Sequence, residues 1–284
     1  MAPAPPSSKD LEGFWGEPTS TLDWCEENYV VSYYIAEFWN TVSNLAIILP
    51  PILAMGYFTK YQQIETRYYV ACILMTIVGI GSWCFHMTLL FEMQMLDELP
   101  MIYGCCVLVY CAFQTDGKKQ ESNLSLALAV GLFLCAVTIT IVYLTIQDPI
   151  FHQVCYGILV VSIIGRGIYC MRSMGHSRYL FIYSVTSIIG AFGIWNIDNI
   201  FCSQIRSWRD SLPFPLSVLT QGHMWWHIWS GIGVYVNIMY SLHLRSSYLQ
   251  YSPKIKHVAS FPYLSLAGAG TEKTSVDSNE NHYH

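Results

Sequence analysis

Long apolar stretches separated by short polar ones dominate the pattern of this sequence. Seven long stretches contain no Asp, Glu, Lys or Arg: 38–59, 68–91, 99–115, 122–147, 149–165, 179–197 and 211–244. Crossing the hydrocarbon layer takes roughly 20 residues of helix, within a range of about 17–25. In lipid only helices or closed barrels satisfy the backbone, and these stretches lack the alternation of barrel strands. The pattern therefore predicts an all-α integral membrane protein with seven transmembrane helices, the last beginning near Ser217.

The composition agrees with a membrane protein. Of the 284 residues, 53% are hydrophobic and 12% are charged, whereas soluble domains carry about 25% charged residues. The net charge is −5 and no basic block is present, which argues against a nucleic-acid partner. Membrane lipid is the expected surrounding, and the sequence does not decide the oligomeric state.

Lys and Arg residues are distributed unevenly between the two sides of the predicted bundle. The N-terminal side carries Lys9, Arg206 and Arg209, and the remaining Lys and Arg residues outside the apolar stretches fall on the other side. Because cytoplasmic loops are enriched in these residues, the N-terminus is predicted to be lumenal and the C-terminus cytosolic. The chain divides into an acidic N-terminal segment (1–33), a helical domain (34–246) and a polar tail (247–284) that we expect to be disordered.

Five polar residues from three predicted helices fall at one membrane depth. Ser82 and His86 lie near the lumenal end of the second span, and Asp97 lies at the start of the third. His223 and His227 lie near the lumenal start of the seventh. Ionisable groups at membrane depth are costly, so their convergence indicates a functional site.

Helical spacing suggests the chemistry of that site. His223 and His227 are four residues apart, so both rings can face one ion. The spacing matches H-E-x-x-H, but Met224 replaces its Glu, and Asp97 is the candidate general base. Three histidines and a water form an open catalytic zinc site, and imidazole ligands favour zinc over calcium or magnesium. The sequence therefore predicts an intramembrane zinc site.

Other interpretations of these residues stay open. The paired histidines sit among tryptophans that suit an interfacial aromatic belt. Asp97 could cap the third helix, and Ser82 could bond its own helix backbone. We assign Glu92 and Glu98 to a solvated loop, and His152 to packing or to the support of a metal ligand.

The acidic stretch DWCEEN, residues 23 to 28, suggests a second cation. Asp23, Glu26, Asn28 and Glu37 offer side-chain oxygens, and Trp24 offers a carbonyl. Calcium takes six to eight oxygen ligands, but this is not an EF-hand loop, and composition alone favours a solvated acidic turn. Glu37 weakens that reading, because an unpaired carboxylate is costly at the start of an apolar helix.

Three further residues fall on the predicted lumenal side. Cys25 and Cys202 could form a disulfide there, although the sequence cannot show that their separation allows one. Asp198 could support the acidic segment or the metal site, or take part in a structural hydrogen-bond network.

Several motifs together resemble the alkaline ceramidase family, most closely its type 3 members. They are STLDWCEENY (20–29), YIAEFWNTVSNL (34–45), GSWCFHMTL (81–89), EMQMLDELPMIY (92–103), PIFHQV (149–154), GIWNIDNIFC (193–202) and HMWWHI (223–228). The sequence departs from the family near 114–123, around 172–180 and beyond about 257, which puts substrate-chain preference and trafficking in doubt.

The resemblance implies a zinc-dependent amidase that hydrolyses ceramide to sphingosine and a fatty acid at alkaline pH, with calcium stimulation, in membranes of the endoplasmic reticulum and Golgi. It implies zinc at His86, His223 and His227, catalysis by Asp97 and Ser82, calcium at Asp23, Trp24, Glu26, Asn28 and Glu37, and a Cys25–Cys202 disulfide. The alternatives are a seven-transmembrane receptor of the adiponectin-receptor type with a structural zinc ion, and a channel or transporter.

Overall fold

The structure is a computed structural model that describes residues 7–61, 64–116, 123–174, 178–258 and 261–266. Its helices are α1 (Phe38–Ser43), α2 (Leu45–Phe58), α3 (Thr66–Thr88), α4 (Phe91–Phe113), α5 (Asn123–Ile146), α6 (Pro149–Met174), α7 (Arg178–Ile200), α8 (Cys202–Ser211) and α9 (Gly222–Tyr248). A 3-10 helix, Leu216–Thr220, precedes α9, and the strands β1 (Pro253–Val258) and β2 (Phe261–Leu266) follow it.

Six helical segments among the described residues are long and apolar enough to cross a membrane. The first joins α1 and α2, and the others are formed by α3 to α7. Helix α9 is 27 residues long but is not among these six. The structure therefore supports a mostly helical membrane protein, and the count of seven spans stays a prediction.

The third and fifth predicted spans are too short, and the seventh begins too early. Helices α4 and α6 extend past Glu98 and Arg166, the charges that end the apolar runs. Both charges have partners: Glu98 accepts a hydrogen bond from the Tyr143 hydroxyl, and Arg166 Nη2 lies 2.7 Å from Asp116 Oδ1. A paired charge can stay inside a helix, so reading only uncharged runs underestimates helix length. Helix α9 starts at Gly222 rather than near Ser217.

A proline in one helix faces a glycine in the next at the α3–α4 contact. Pro100 has no N–H for the Leu96 carbonyl, which is the acceptor one helical turn earlier. That carbonyl points at Gly81, where an added Cβ would lie 2.1 Å from the Leu96 oxygen. The resulting close approach places the residue after Gly81, Ser82, beside Asp97.

Helices α2 and α9 meet by the same arrangement. Pro50 leaves the Ala46 carbonyl without its helical donor. A Cβ at Gly231 would lie 3.1 Å from that oxygen. The two proline–glycine contacts bring α2, α3, α4 and α9 together around one end of the bundle.

The N-terminal segment covers this end and is fixed there by α8. Cys25 and Cys202 form a disulfide with a Cα–Cα distance of 5.4 Å. Arg206 Nε and Arg209 Nη1 donate to the Cys25 carbonyl at 3.1 and 3.0 Å. Arg209 also pairs with Glu27 at 2.5 Å. The segment is thus held by a covalent bond, by carbonyl contacts and by a buried ion pair.

The opposite end of the bundle carries charges and a hairpin. Glu65 pairs with Arg67 at 2.5 Å and with Arg245 at 2.8 Å. Strands β1 and β2 pair antiparallel, and Leu264 is buried in the core. The hairpin lies within the segment 247–284, which was predicted to be disordered. The polar composition of that segment does not predict that β1 and β2 pair. Residues 267–284 of that segment lie outside the described residues.

Candidate metal centre and cavity

Three histidines from two helices converge at the covered end of the bundle. His86 lies near the end of α3, and His223 and His227 lie in the first two turns of α9. All three are buried, and one ring nitrogen of each lies within 4.8 Å of the others. The predicted grouping of these residues therefore matches their positions in the structure.

Hydrogen bonds to two of the rings determine which nitrogens face the centre. His86 Nδ1 pairs with Glu37 Oε2. His227 Nδ1 lies 3.0 Å from the Asn40 carbonyl oxygen and 2.8 Å from Ser43 Oγ. These contacts orient both rings and leave each Nε2 available to a metal, as outer partners commonly do for ligating histidines.

The third ring is held by stacking and by the start of its helix. His223 stacks on Trp24 with ring centroids 3.9 Å apart, and its Nδ1 is buried without a hydrogen-bond partner among the described residues. Asp198 Oδ1 accepts the Gly222 N–H at 3.1 Å, so of its predicted roles Asp198 takes part in a structural hydrogen-bond network, at the start of α9. An unpartnered imidazole nitrogen beside two oriented imidazoles is a donor set that fits zinc.

Ser82 and Asp97 adjoin the three histidines. Ser82 Oγ lies 3.4 Å from His227 Nε2, and its side chain is in hydrogen-bonding contact with the Asp97 carboxyl group. Asp97 lies in the second turn of α4, whose N-cap is Leu90, so it does not cap the helix. The five residues predicted at one depth are thus brought together.

The assignment of Glu92 and Glu98 to a solvated loop is wrong. Both lie in α4, and although Glu92 is exposed, Glu98 is only 6% exposed. His152 Nε2 donates to the Glu98 carbonyl oxygen at 2.9 Å, and the Tyr143 hydroxyl donates to the Glu98 carboxylate. The sequence does not predict Tyr143 as a site residue, because its partner Glu98 lies on another helix and no local pattern marks it.

A cavity of about 570 Å³ extends from the histidine cluster into the bundle. Apart from the residues above, its wall is mainly apolar and comes largely from α3, α4, α6, α7 and α9. Val161 of α6 and Ile189 and Phe192 of α7 line the cavity, yet they are 68%, 60% and 56% exposed. Because these residues line the cavity and are also exposed on the outside of the bundle, they indicate that the cavity opens laterally between α6 and α7.

The acidic residues of the N-terminal segment lie against the start of α1. Glu26 accepts hydrogen bonds from the Trp39 and Asn40 N–H groups at 2.7 and 2.8 Å. Glu37 Oε1 accepts the Trp24 N–H at 3.2 Å. Glu26 and Glu37 are 3% and 0% exposed, so the alternative of a solvated turn does not describe them.

Burial and mutual repulsion perturb these carboxyl groups. Burial and the nearby Glu37 raise the pKa of Asp23 to about 7 and the pKa of Glu26 to about 8. Asn28 Oδ1 is buried without a hydrogen-bond partner among the described residues. A cation would offset the repulsion and satisfy this oxygen, so the donor set fits calcium.

The described carboxylates do not converge as tightly as the histidines. Asp23, Glu26 and Glu37 are not among the groups of described residues whose ligand atoms lie within 4.8 Å of one another. The Trp24 carbonyl accepts a hydrogen bond from Arg206 Nη2 at 3.3 Å. The calcium ligands therefore stay a prediction.

The known proteins to which this chain is similar share one family. A family model described as Ceramidase matches residues 16–265. Alkaline ceramidase 3 of Mus musculus is 49% identical over 263 residues, which is 90% of this chain and 94% of that protein. Alkaline ceramidase YPC1 of Saccharomyces cerevisiae is 35% identical over 252 residues, covering 83% of this chain and 79% of that protein. An alkaline ceramidase of Arabidopsis thaliana is 29% identical over 266 residues, covering 92% of this chain and 98% of that protein.

Proposed function

The chain belongs to the ceramidase family, and from this premise we propose that it hydrolyses the amide bond of ceramide at alkaline pH. The products are sphingosine and a free fatty acid. The observation that carries the proposal is an apolar cavity, laterally open, that ends at three histidines, an aspartate and a serine. Alkyl chains suit its apolar wall, and an amide suits its polar end.

We propose that His86, His223 and His227 hold a zinc ion. A bound zinc ion supplies Lewis acidity toward the amide carbonyl and lowers the pKa of a water to around 7. The buried Glu37 carboxylate keeps the His86 ring in place, and Asn40 and Ser43 do the same for His227. These partners restrict the rings to one orientation, which favours binding of the metal.

Asp97 and Ser82 have separate roles in this proposal. Asp97 accepts a proton from the attacking water at a carboxylate oxygen and passes it to the departing amine nitrogen. Ser82 donates its hydroxyl hydrogen to the carbonyl oxygen as negative charge develops there. The contact between the two side chains supports both roles, since it holds the acid–base group beside the donor.

A calcium ion bound by Asp23, Trp24, Glu26, Asn28 and Glu37 is the second part of the proposal. Glu37 contacts His86, so order in the acidic segment is transmitted to a zinc ligand. Calcium binding would fix the segment over the cavity and thereby stimulate hydrolysis.

We further propose that α9 is the seventh span and that the N-terminus is lumenal, in membranes of the endoplasmic reticulum and Golgi. Helix α9 packs within the bundle, and at 27 residues it exceeds the roughly 20 that a span requires. A receptor with a structural zinc ion is not favoured, because a structural ion needs no acid and serine beside it.

Release of fatty acid from ceramide by purified protein tests the function. Activity is expected to disappear after treatment with a strong zinc chelator and to return when zinc is added back. A metal-loaded and folded protein that releases no fatty acid would contradict the proposal, and so would full activity after verified removal of the metal.

A further inference from the structure

A second polar cluster lies in the cavity wall beside Asp97. It consists of Glu98 and His152, which both line the cavity, and of Gln94 and Tyr143, which support them from behind. Glu98 follows Asp97 in α4, so the two carboxyl groups open onto the same cavity. The proposed reaction gives this cluster no role.

The hydrogen bonds of the cluster leave two acceptors facing each other. Glu98 Oε2 accepts from Gln94 Nε2 at 3.0 Å and from the Tyr143 hydroxyl, which leaves Oε1 free. His152 Nε2 lies 2.9 Å from the Glu98 carbonyl oxygen, so this nitrogen carries the hydrogen. In a neutral ring the other nitrogen, Nδ1, is then an acceptor.

The distance between these two atoms shows that they do not bond to each other. His152 Nδ1 and Glu98 Oε1 are 3.9 Å apart, beyond hydrogen-bonding range. Both side chains are buried, with 3% and 6% of their residue surfaces exposed. Both residues line the cavity, and neither atom has a donor among the described residues, so a molecule in the cavity can supply donors to both.

We propose that Glu98 Oε1 and His152 Nδ1 bind the two hydroxyl groups of the substrate head. The inference rests on the proposed function and names a subsite within it. Ceramide is a 2-amido-1,3-diol, and its hydroxyl groups flank the carbon that bears the amide nitrogen. Two donors on either side of the scissile amide match two acceptors next to Asp97. The cluster therefore selects amides with a diol head over simple fatty amides.

Substrate analogues test the subsite in the wild-type protein. We would compare kcat/KM for ceramide, for ceramide without its C1 hydroxyl, and for the analogue without its C3 hydroxyl. Loss of either hydroxyl should lower kcat/KM by about 10-fold or more, as expected when a hydrogen bond to a charged or buried acceptor is left unmade. Equal values for all three substrates would overturn the subsite.

Glu98→Gln tests the assignment to these atoms. The Gln oxygen would keep the bonds to Gln94 and Tyr143, so its amide nitrogen would take the place of Oε1 and present a donor where the wild type presents an acceptor. A substrate hydroxyl would then lose its acceptor at this position, and the ratio of kcat/KM between ceramide and the analogue that lacks this hydroxyl should approach one. Glu92→Gln, an exposed change on the same helix, is the matched control and should keep the wild-type ratio.

The outcomes separate the subsite from the function. If Glu98→Gln lowers kcat/KM by the same factor for all three substrates, the cluster only positions Asp97 and the subsite is overturned. If folded wild-type protein releases no fatty acid from any substrate, the proposed function fails and the subsite fails with it. The thermal unfolding temperature of the variant, which should match that of the wild type, shows whether its fold is intact.

Discussion

At the residue scale, Glu37 links two candidate ion sites. One carboxylate oxygen pairs with His86 Nδ1, and the other accepts the Trp24 N–H at 3.2 Å. Asn40 Nδ2 donates to the same group at 3.2 Å. A completely buried carboxylate is tolerated here because each of these three partners either donates to it or can carry positive charge.

Replacement of Glu37 tests this link. Calcium should raise the thermal unfolding temperature of the wild-type protein, by an amount equivalent to about 2.7 kcal/mol at 100 times Kd. Glu37→Ala should unfold at a lower temperature, respond much less to calcium and lose most of its ceramide turnover. Glu17→Ala, an exposed acid in the same segment, is the control. Equal calcium shifts in Glu37→Ala and wild type would remove Glu37 from the site.

Replacement of the site residues separates metal binding from proton transfer. His223→Ala should abolish turnover and lower the zinc content, because it removes a ligand. Asp97→Asn should lower turnover by about 10²–10⁴-fold while the zinc is retained, because it removes the base alone. Elemental analysis beside turnover measures both effects, and His257→Ala on the hairpin is the control. Full activity of His223→Ala would be incompatible with the three-histidine site.

At the element scale, two proline–glycine contacts place the helices. Pro100 and Pro50 each free a carbonyl, and Gly81 and Gly231 allow the neighbouring helix to approach it. Removing an N–H from a helix normally costs stability. At the α3–α4 contact, where a Cβ on Gly81 would lie 2.1 Å from the freed Leu96 oxygen, only glycine fits, and this contact brings Ser82 to Asp97.

Enlarging Gly81 tests the α3–α4 contact. In Gly81→Ala the new Cβ would lie 2.1 Å from a backbone oxygen, so α3 and α4 must separate. We expect a destabilisation of about 1–3 kcal/mol and a fall in kcat larger than any rise in KM. Gly131→Ala on α5 is the control, because nothing lies within 4 Å of its Cβ position. An unchanged kcat in Gly81→Ala would show that the close approach does not position Ser82.

At the scale of the whole molecule, the two ends of the bundle are closed differently. The end with the histidines is covered by the N-terminal segment, a disulfide and α8. The other end has the Glu65 ion pairs and the hairpin. Disulfides form in oxidising compartments, so this asymmetry supports a lumenal position for the histidine end.

Glycosylation tests that orientation. Asn123-Leu124-Ser125 is a sequon at the start of α5, and Asn123 is exposed, but the proposed topology puts it in the cytosol. It should stay unmodified in cells. Pro18→Asn would create an Asn-Thr-Ser sequon in the exposed N-terminal segment, where modification is expected. A glycosidase-sensitive mass shift assigned to Asn123 would reverse the topology.

The sequence by itself determined the class of the protein and which residues come together in its candidate site. Low charge and long apolar runs indicate membrane helices, because burial in lipid excludes most charges. The four-residue spacing of His223 and His227 places them on one helix face whatever the tertiary packing. Alternation of helix direction brings Ser82, His86 and Asp97 to the same depth, since each span reverses the chain.

Only the tertiary structure decided which charged residues are buried and how the cavity is shaped. Glu98 was predicted in a solvated loop, yet it is buried in α4 because Tyr143 and His152, on other helices, provide its partners. Such pairings join residues about 50 positions apart, and no local pattern encodes them. The lateral opening between α6 and α7 likewise depends on how two largely apolar helices pack, which their hydrophobicity alone does not specify.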